Sequence, residues 1–195
     1  MKILKRILIV LAVLVGLIIV IGFLSPREQH VERSTSIKAS PEVVFSQIND
    51  LRKWEKWSPW IKLDPTTDLK YSEPASGAGA YYTWSSNNDQ VGKGKLTITD
   101  VETNSMVRTK LDFEGMNPST GYFKFEPEAG GTKLTWALDA DMGSNPFFRV
   151  MGLMMDKMME KPFNEGLAGI KEISEASALP EAATAVEETN TDPAE

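Results

Sequence analysis

No cysteine occurs among the 195 residues. Disulfides, a thiol nucleophile, thiolate metal ligands and a lipoprotein acylation site are therefore excluded. Histidine is nearly absent as well: His30, in "SPREQH", is the single one, and its neighbourhood reads as a solvated linker. Basic surplus is missing too. The net charge is −6, and setting aside a basic head and an acidic tail leaves the middle of the chain at −4, with nothing to hold a phosphate backbone. A nucleic-acid partner is excluded on that ground. No residues resemble a catalytic triad or a metal cluster. "DADMGSN" has too few acidic positions for a calcium loop, and the "GKG" starting at Gly92 precedes a strand instead of cradling a phosphate. No catalytic residue, metal or cofactor is assigned.

What the chain does have begins with "ILIVLAVLVGLIIVIGFL", Ile7 to Leu24, eighteen residues without a charge, after Lys2, Lys5 and Arg6. As a helix this run is about 27 Å long, against a bilayer core of about 30 Å. Residues 1–24 read as a single-pass signal anchor, with 25–30 as a linker. The rival reading is a signal peptide cut ahead of Phe23, after the small residues Val20 and Gly22, although an A-x-A site is lacking. The basic head predicts a cytoplasmic N-terminus and a domain on the far side of the membrane, periplasmic in a bacterium. Residues 177–195 carry five acidic side chains, no basic one and no aromatic, the composition of a disordered acidic tail.

Residues 31–176 are expected to form one domain. "VERSTSIKA" alternates like a strand, with Val31, Thr35 and Ile37 on one face. "SPEVVFSQIND" reads as a helix, with Ser40 as cap, Pro41 in the first turn and Val44, Phe45 and Ile48 as its stripe. Five further alternating runs, "AYYTWSS", "GKLTITDVE", "SMVRTKLDFEG", "GYFKFEPE" and "TKLTWALDADM", are separated by turn-rich breaks and describe an antiparallel meander. Alternation puts Leu134, Trp136 and Leu138, Phe123 and Phe125, and Thr109, Leu111 and Phe113 on one apolar face. Tyr81 or Tyr82, Arg33 and Thr109 are the polar residues that could share it.

A cover for that face follows in "SNPFFRVMGLMMDKMMEKPFNEGLAGIKEISEA". Ser144 or Asn145 can cap it, and Pro162 predicts a kink near Met158. Beyond the kink Phe163, Leu167, Ile170 and Ile173 form a narrow stripe. Before it the helix is apolar around most of its girth, and methionine suits surfaces whose contents change. Met151, Met154, Met155, Met158 and Met159 are therefore expected to line a space opposite Trp84, Trp136, Phe113 and Phe123. The bland alternative is a loosely filled core.

The matching stretches "VERSTSIKASPEVVFSQINDLRKWEKWSPW", "GAGAYYTW", "GKGKLTITDVE" and "GGTKLTWALDADM", with the closing helix, resemble the START-like helix-grip superfamily, in particular the SRPBCC group of polyketide cyclases/dehydrases and lipid-transport proteins. The resemblance implies an α+β fold: a curved antiparallel sheet wrapped around a long C-terminal helix, with an apolar cavity between them. It also implies that the small helices carrying Trp54, Trp57 and Trp60 close one end of that cavity, so that these indoles stand at its rim; a structural plug or an interfacial belt at the bilayer are the alternatives. The implied ligand-binding residues are Trp54, Trp57, Trp60, Trp84, Phe113, Phe123, Trp136, Met151, Met154, Met155 and Met158. The expected function is a membrane-anchored carrier or sensor of a hydrophobic small molecule or lipid. A cyclase/dehydrase-like enzyme and an interaction module with a filled core are the alternatives, and no protein partner is identified.

Overall fold

The computed structural model of the protein describes residues 2–188. Its first element, α1 (Lys2–Leu24), is the apolar run together with its basic head. Side chains project from it on all sides, and Gly22 is its one buried residue. A connection of three residues, Ser25 to Arg27, leads into β1 (Glu28–Ile37). The linker is thus shorter than residues 25–30. Its second half already pairs with the sheet, Glu28 with Asp141 and His30 with Asp139. Arg27 fixes this junction by donating from Nε and Nη2 to the Asp141 carboxylate at 2.7 and 2.6 Å. His30, expected in a solvated linker, lies in the strand with Nδ1 2.7 Å from an Asp139 oxygen.

The helix α2 (Pro41–Asn49) starts where Ser40 accepts from the Val43 N–H at 3.5 Å and Pro41 takes the first turn. A 3-10 turn, Leu51–Lys56, and the short α3 (Pro59–Leu63) follow. Next come β2 (Asp68–Tyr71), β3 (Tyr81–Ser85), β4 (Lys93–Glu102), β5 (Met106–Phe113), β6 (Ser119–Glu128) and β7 (Gly131–Asp141). All seven strands form one antiparallel sheet in the order β1-β7-β6-β5-β4-β3-β2, so that the last strand closes back onto the first. A register shift between Ile98 and Asp100 adds local twist to β4. Alternation holds as expected. Phe123, Phe125, Val107, Thr109, Leu134 and Trp136 are buried on the inner face, while Lys110–Asp112 and Lys124–Glu126 pair on the outer one.

The covering element is two helices, α4 (Pro146–Gly152) and α5 (Met155–Glu188). Asn145 caps α4, accepting from the Phe147 N–H at 3.0 Å. The two helices are separated by a break at Leu153–Met154. Its cause is a change of partner. The start of α4 packs against the end of α1, where Pro146 lies directly on Gly22 with no room for a Cβ, whereas α5 packs along β1 and α2. One straight helix cannot serve both. Along α5, Phe163, Leu167 and Ile170 are buried at helical spacing.

The helical backbone of α5 is described through Glu188. Alanine and glutamate dominate residues 177–188, and both are strong helix formers. Residues 189–195 of the expected tail lie outside the described residues.

Candidate functional site

The middle of the inner face is filled by aromatic rings. Trp136 of β7 stacks on Phe163 of α5 at 4.2 Å and on Phe123 of β6 at 5.0 Å. Trp57 meets the edge of Trp136 at 5.7 Å and Phe123 at 6.1 Å, and Trp54 lies 4.7 Å from Trp57. The helix approaches this cluster closely because position 166 is glycine: a Cβ there would stand 2.6 Å from the Trp136 ring.

Trp54 and Trp57 are 4 and 1% exposed, so they belong to the core and not to a rim. Their N–H groups have structural work. Trp54 Nε1 donates to the Ile48 carbonyl at 2.8 Å and Trp57 Nε1 to that of Gln47 at 3.3 Å. These carbonyls belong to the last turn of α2, where intrahelical donors run out. The indoles thus complete a helix end while filling the interior. Their spacing by three put them on one face, and nothing local could say that the face points inward.

The aromatic packing thins toward the end of the sheet where α1 enters. Register places Thr109, Gly121 and Leu138 in one row across the inner face, and Leu111, Ser119 and Ala140 in the next. The floor there is made of small buried residues, Thr109, Gly121, Ser119 and Ala140. Around it stand apolar side chains that are only partly buried. Leu111 and Leu138 rise from the sheet, Met155 and Met159 come from α5, and Trp60 and Trp84 flank them. Phe113 is partly buried too and packs edge-on against Trp84 at 5.4 Å. Trp60 touches the edge of Trp136 at 5.9 Å, and Trp84 donates from Nε1 to the Val91 carbonyl at 3.1 Å. Met159 was expected to line the space with the other methionines, whereas Leu111 and Leu138 were placed on the apolar face by alternation but were not named as ligand-binding residues.

The expected residues therefore divide. Trp54, Trp57, Phe123 and Trp136 are core. Trp60, Trp84, Phe113 and Met155 surround the partly covered end. Met151, Met154 and Met158 are not brought to either group: they are 55, 60 and 54% exposed on the outside. Helical geometry supplies the reason. Met155, Met159 and Phe163 recur every four residues on the inward stripe, and Met154 and Met158 stand one residue, about 100°, off it.

Two surface recesses lie on the helices. One, of about 500 Å³, runs along the outer face of α5 between Lys157 and Ala168. The other, of about 310 Å³, lies on α1 between Arg6 and Leu14.

Ionisable groups near the inner face are sparse. Tyr82, not Tyr81, points inward, and burial pushes its phenol above the ordinary range. Arg33 shares the inner side of β1 and donates from Nη1 to Asp156 of α5 at 2.8 Å. That hydrogen bond holds the Asp156 carboxyl below its usual range. The pair ties the edge strand, at the level of Trp136, to the start of α5.

Comparison with known proteins gives a family and a fold. A family model described as polyketide cyclase/dehydrase and lipid transport matches residues 28–175. No curated protein matches the chain. A Staphylococcus aureus protein of unknown function superposes with a TM-score of 0.59 at 16% identity, over 77% of this chain and 95% of that one. A Chromobacterium violaceum protein gives a TM-score of 0.55 at 13% identity, over 75 and 98% of the two chains. The di-domain ARO/CYC of the steffimycin biosynthetic pathway gives 0.59 at 13% identity, over 80% of this chain and 52% of that one.

Proposed function

We propose that this chain, which belongs to the polyketide cyclase/dehydrase and lipid-transport family, is a membrane-tethered domain that binds a hydrophobic small molecule or lipid as a carrier or sensor. The observation that carries this reading is the partly covered apolar end of the inner face. Leu111, Phe113, Leu138, Met155 and Met159 stand there around a floor of small residues, a surface suited to an acyl chain or a fused ring. The family's association with lipid transport supports the same ligand class. Tethering is supported by α1, a helix long and apolar enough to cross a membrane. Lys2, Lys5 and Arg6 before it favour a cytoplasmic N-terminus, with the domain outside the cytoplasmic membrane. The filled aromatic centre favours a second reading, an interaction module that holds no ligand.

The test uses the full chain in detergent and a dansyl-labelled fatty acid. Binding near Trp60 and Trp84 should give saturable energy transfer from indole to dansyl. Leu138→Asn should weaken it several-fold and Ala129→Asn, on the distal β6–β7 turn, should not. Absence of saturable transfer, or equal loss in both variants, would favour the interaction module. N-terminal sequencing of the protein from cells should start upstream of Phe23. A start at Phe23 would replace the anchor by a cleaved signal.

A further inference from the structure

Among residues 25–178, nine large apolar side chains are exposed. Six of them fall between Phe147 and Met158: Phe147, Phe148, Met151, Leu153, Met154 and Met158, each 47–60% exposed. Scattered apolar residues on a surface need no explanation, but such a concentration does. Packing against the sheet does not explain it: Phe147, Phe148 and Met151 belong to α4, Leu153 and Met154 to the break after it, and Met158 lies off the inward stripe of α5.

Position supplies the explanation. Pro146, which begins α4, rests on Gly22, in the last turn of α1. A helix of 23 residues rises about 34 Å, slightly more than a bilayer's hydrocarbon thickness of about 30 Å. Its last turn therefore lies at the boundary between acyl chains and headgroups, and α4 is pinned at that level. The ladder agrees, because Glu28, the first residue of β1, and Asp141, the last of β7, pair at this same end of the sheet. Asn117, in the β5–β6 connection, reaches the Asp141 carbonyl at 3.4 Å, and this brings the exposed Met116 to the same end.

We infer that the outer face of α4 and the first turn of α5 is a lipid-contacting surface that enters the interfacial layer of the bilayer crossed by α1. The occupant is phospholipid. α1 and α4 meet at the Gly22–Pro146 contact, so exposed apolar side chains of both helices lie on either side of one junction. A flat apolar side placed in the interface gains from burial as an amphipathic surface helix does. The partly covered end of the inner face lies at this same end of the sheet. This inference rests on the reading of α1 as a retained anchor.

Absence of cysteine makes the experiment direct. Single cysteines at Met154, Leu14 and Ala129 are labelled with an environment-sensitive NBD fluorophore in the full chain. Each variant is reconstituted in phosphatidylcholine/phosphatidylglycerol vesicles, with and without lipid carrying a nitroxide high on its acyl chain. Indole emission is compared with the parent to show that the fold is kept. Labels at Leu14 and Met154 should be blue-shifted and quenched by the lipid nitroxide, and the label at Ala129 should be neither. Quenching at Leu14 with none at Met154 overturns the surface and leaves the anchor standing. A blue-shifted but unquenched Met154 label means protein covers the face, as in a dimer, and also overturns it. A water-exposed Leu14 label overturns the anchor and the surface together. Met151→Glu with Phe148→Glu in the Met154 background should abolish its quenching; unchanged quenching would contradict the assignment.

Discussion

Phe163→Ala distinguishes a filled interior from a ligand space. Phe163 is 1% exposed and lies 4.2 Å from Trp136 with the rings 15° from parallel. Removing a buried phenyl ring costs about 3 to 5 kcal/mol when the surroundings do not collapse. The lost stacking, about 0.5–1.5 kcal/mol beyond area, places the expectation in the upper half of that range. Relaxation here is restricted, because Trp136 is held on its other face by Phe123 and against the α5 backbone at Gly166. For a chain of this size about 2–4 °C of melting temperature corresponds to each kcal/mol, so the variant should melt roughly 8 to 20 °C below the parent. The assay is thermal unfolding of the full chain in detergent, followed by near-ultraviolet circular dichroism. Met154→Ala, at a position 60% exposed, is the internal comparison and should stay within about 0.5 kcal/mol of the parent. A Phe163→Ala variant losing less than about 1 kcal/mol would refute the reasoning, because it would mean that the ring borders a space another molecule normally fills.

Other perturbations test the remaining contacts. Gly22→Leu has no room beside Pro146; it should separate α4 from α1 and reduce lipid quenching of a Met154 label, while a label at Leu14 is unaffected. Trp54→Phe keeps the ring packing but leaves the Ile48 carbonyl without its donor, a loss of about 1–3 kcal/mol to be read by denaturant unfolding. The Asp141 carboxyl is held down to about 2, first by the Arg27 hydrogen bond and then by the Gly143 N–H, against an ordinary value of about 3.9. A depressed value contributes stability above the unfolded pKa and loses it as protons bind. The parent should therefore lose stability between about pH 4 and pH 2, and Asp141→Asn should be less stable at neutral pH and flatter across that window when melting temperatures are compared.

Much of the fold was legible because its signals are local. Alternation in "TKLTWALDADM" or "GYFKFEPE" needs only neighbouring residues to say which side chains share a face, and the burial of Leu134, Trp136, Phe123 and Phe125 follows it. Ser40–Pro41 and Asn145–Pro146 mark helix starts by capping chemistry that is equally local. What was missed depends on distant partners. The four residues of β2 are too few to alternate visibly. The strand at Glu28 is defined by its pairing with Asp141 across the sheet, beside the Arg27–Asp141 contact. The methionines mislead for a related reason. Composition shows a girth that is apolar all round, but only contact with α1 decides that α4 turns away from the sheet and leaves Met151 and Met154 outside. Trp54 and Trp57 show the same limit: their shared face was readable, its direction was not.

The proposed ligand end and the proposed lipid-contacting face lie at one end of the sheet, and this restricts what kind of binding the protein can perform. The connection between α1 and β1 is three residues long. Fully extended it spans only about 10 Å, and Arg27, its last residue, is already tied to Asp141. With α1 retained in a bilayer, the domain has no slack with which to carry a molecule across an aqueous gap. A shuttling carrier needs a long tether or none. A short tether with the apolar end facing the membrane instead suits exchange with a single leaflet, in which an acyl chain moves past Phe113 and Leu111 without crossing water. Lengthening the connection with a flexible insert after Ser25 separates the two cases. Local exchange should slow, because the mouth no longer rests at the interface, whereas a carrier between membranes should work faster. Transfer of a fluorescent lipid between vesicles, compared with its uptake from the host vesicle alone, reads both rates, and faster transfer with the longer tether would overturn the single-leaflet assignment.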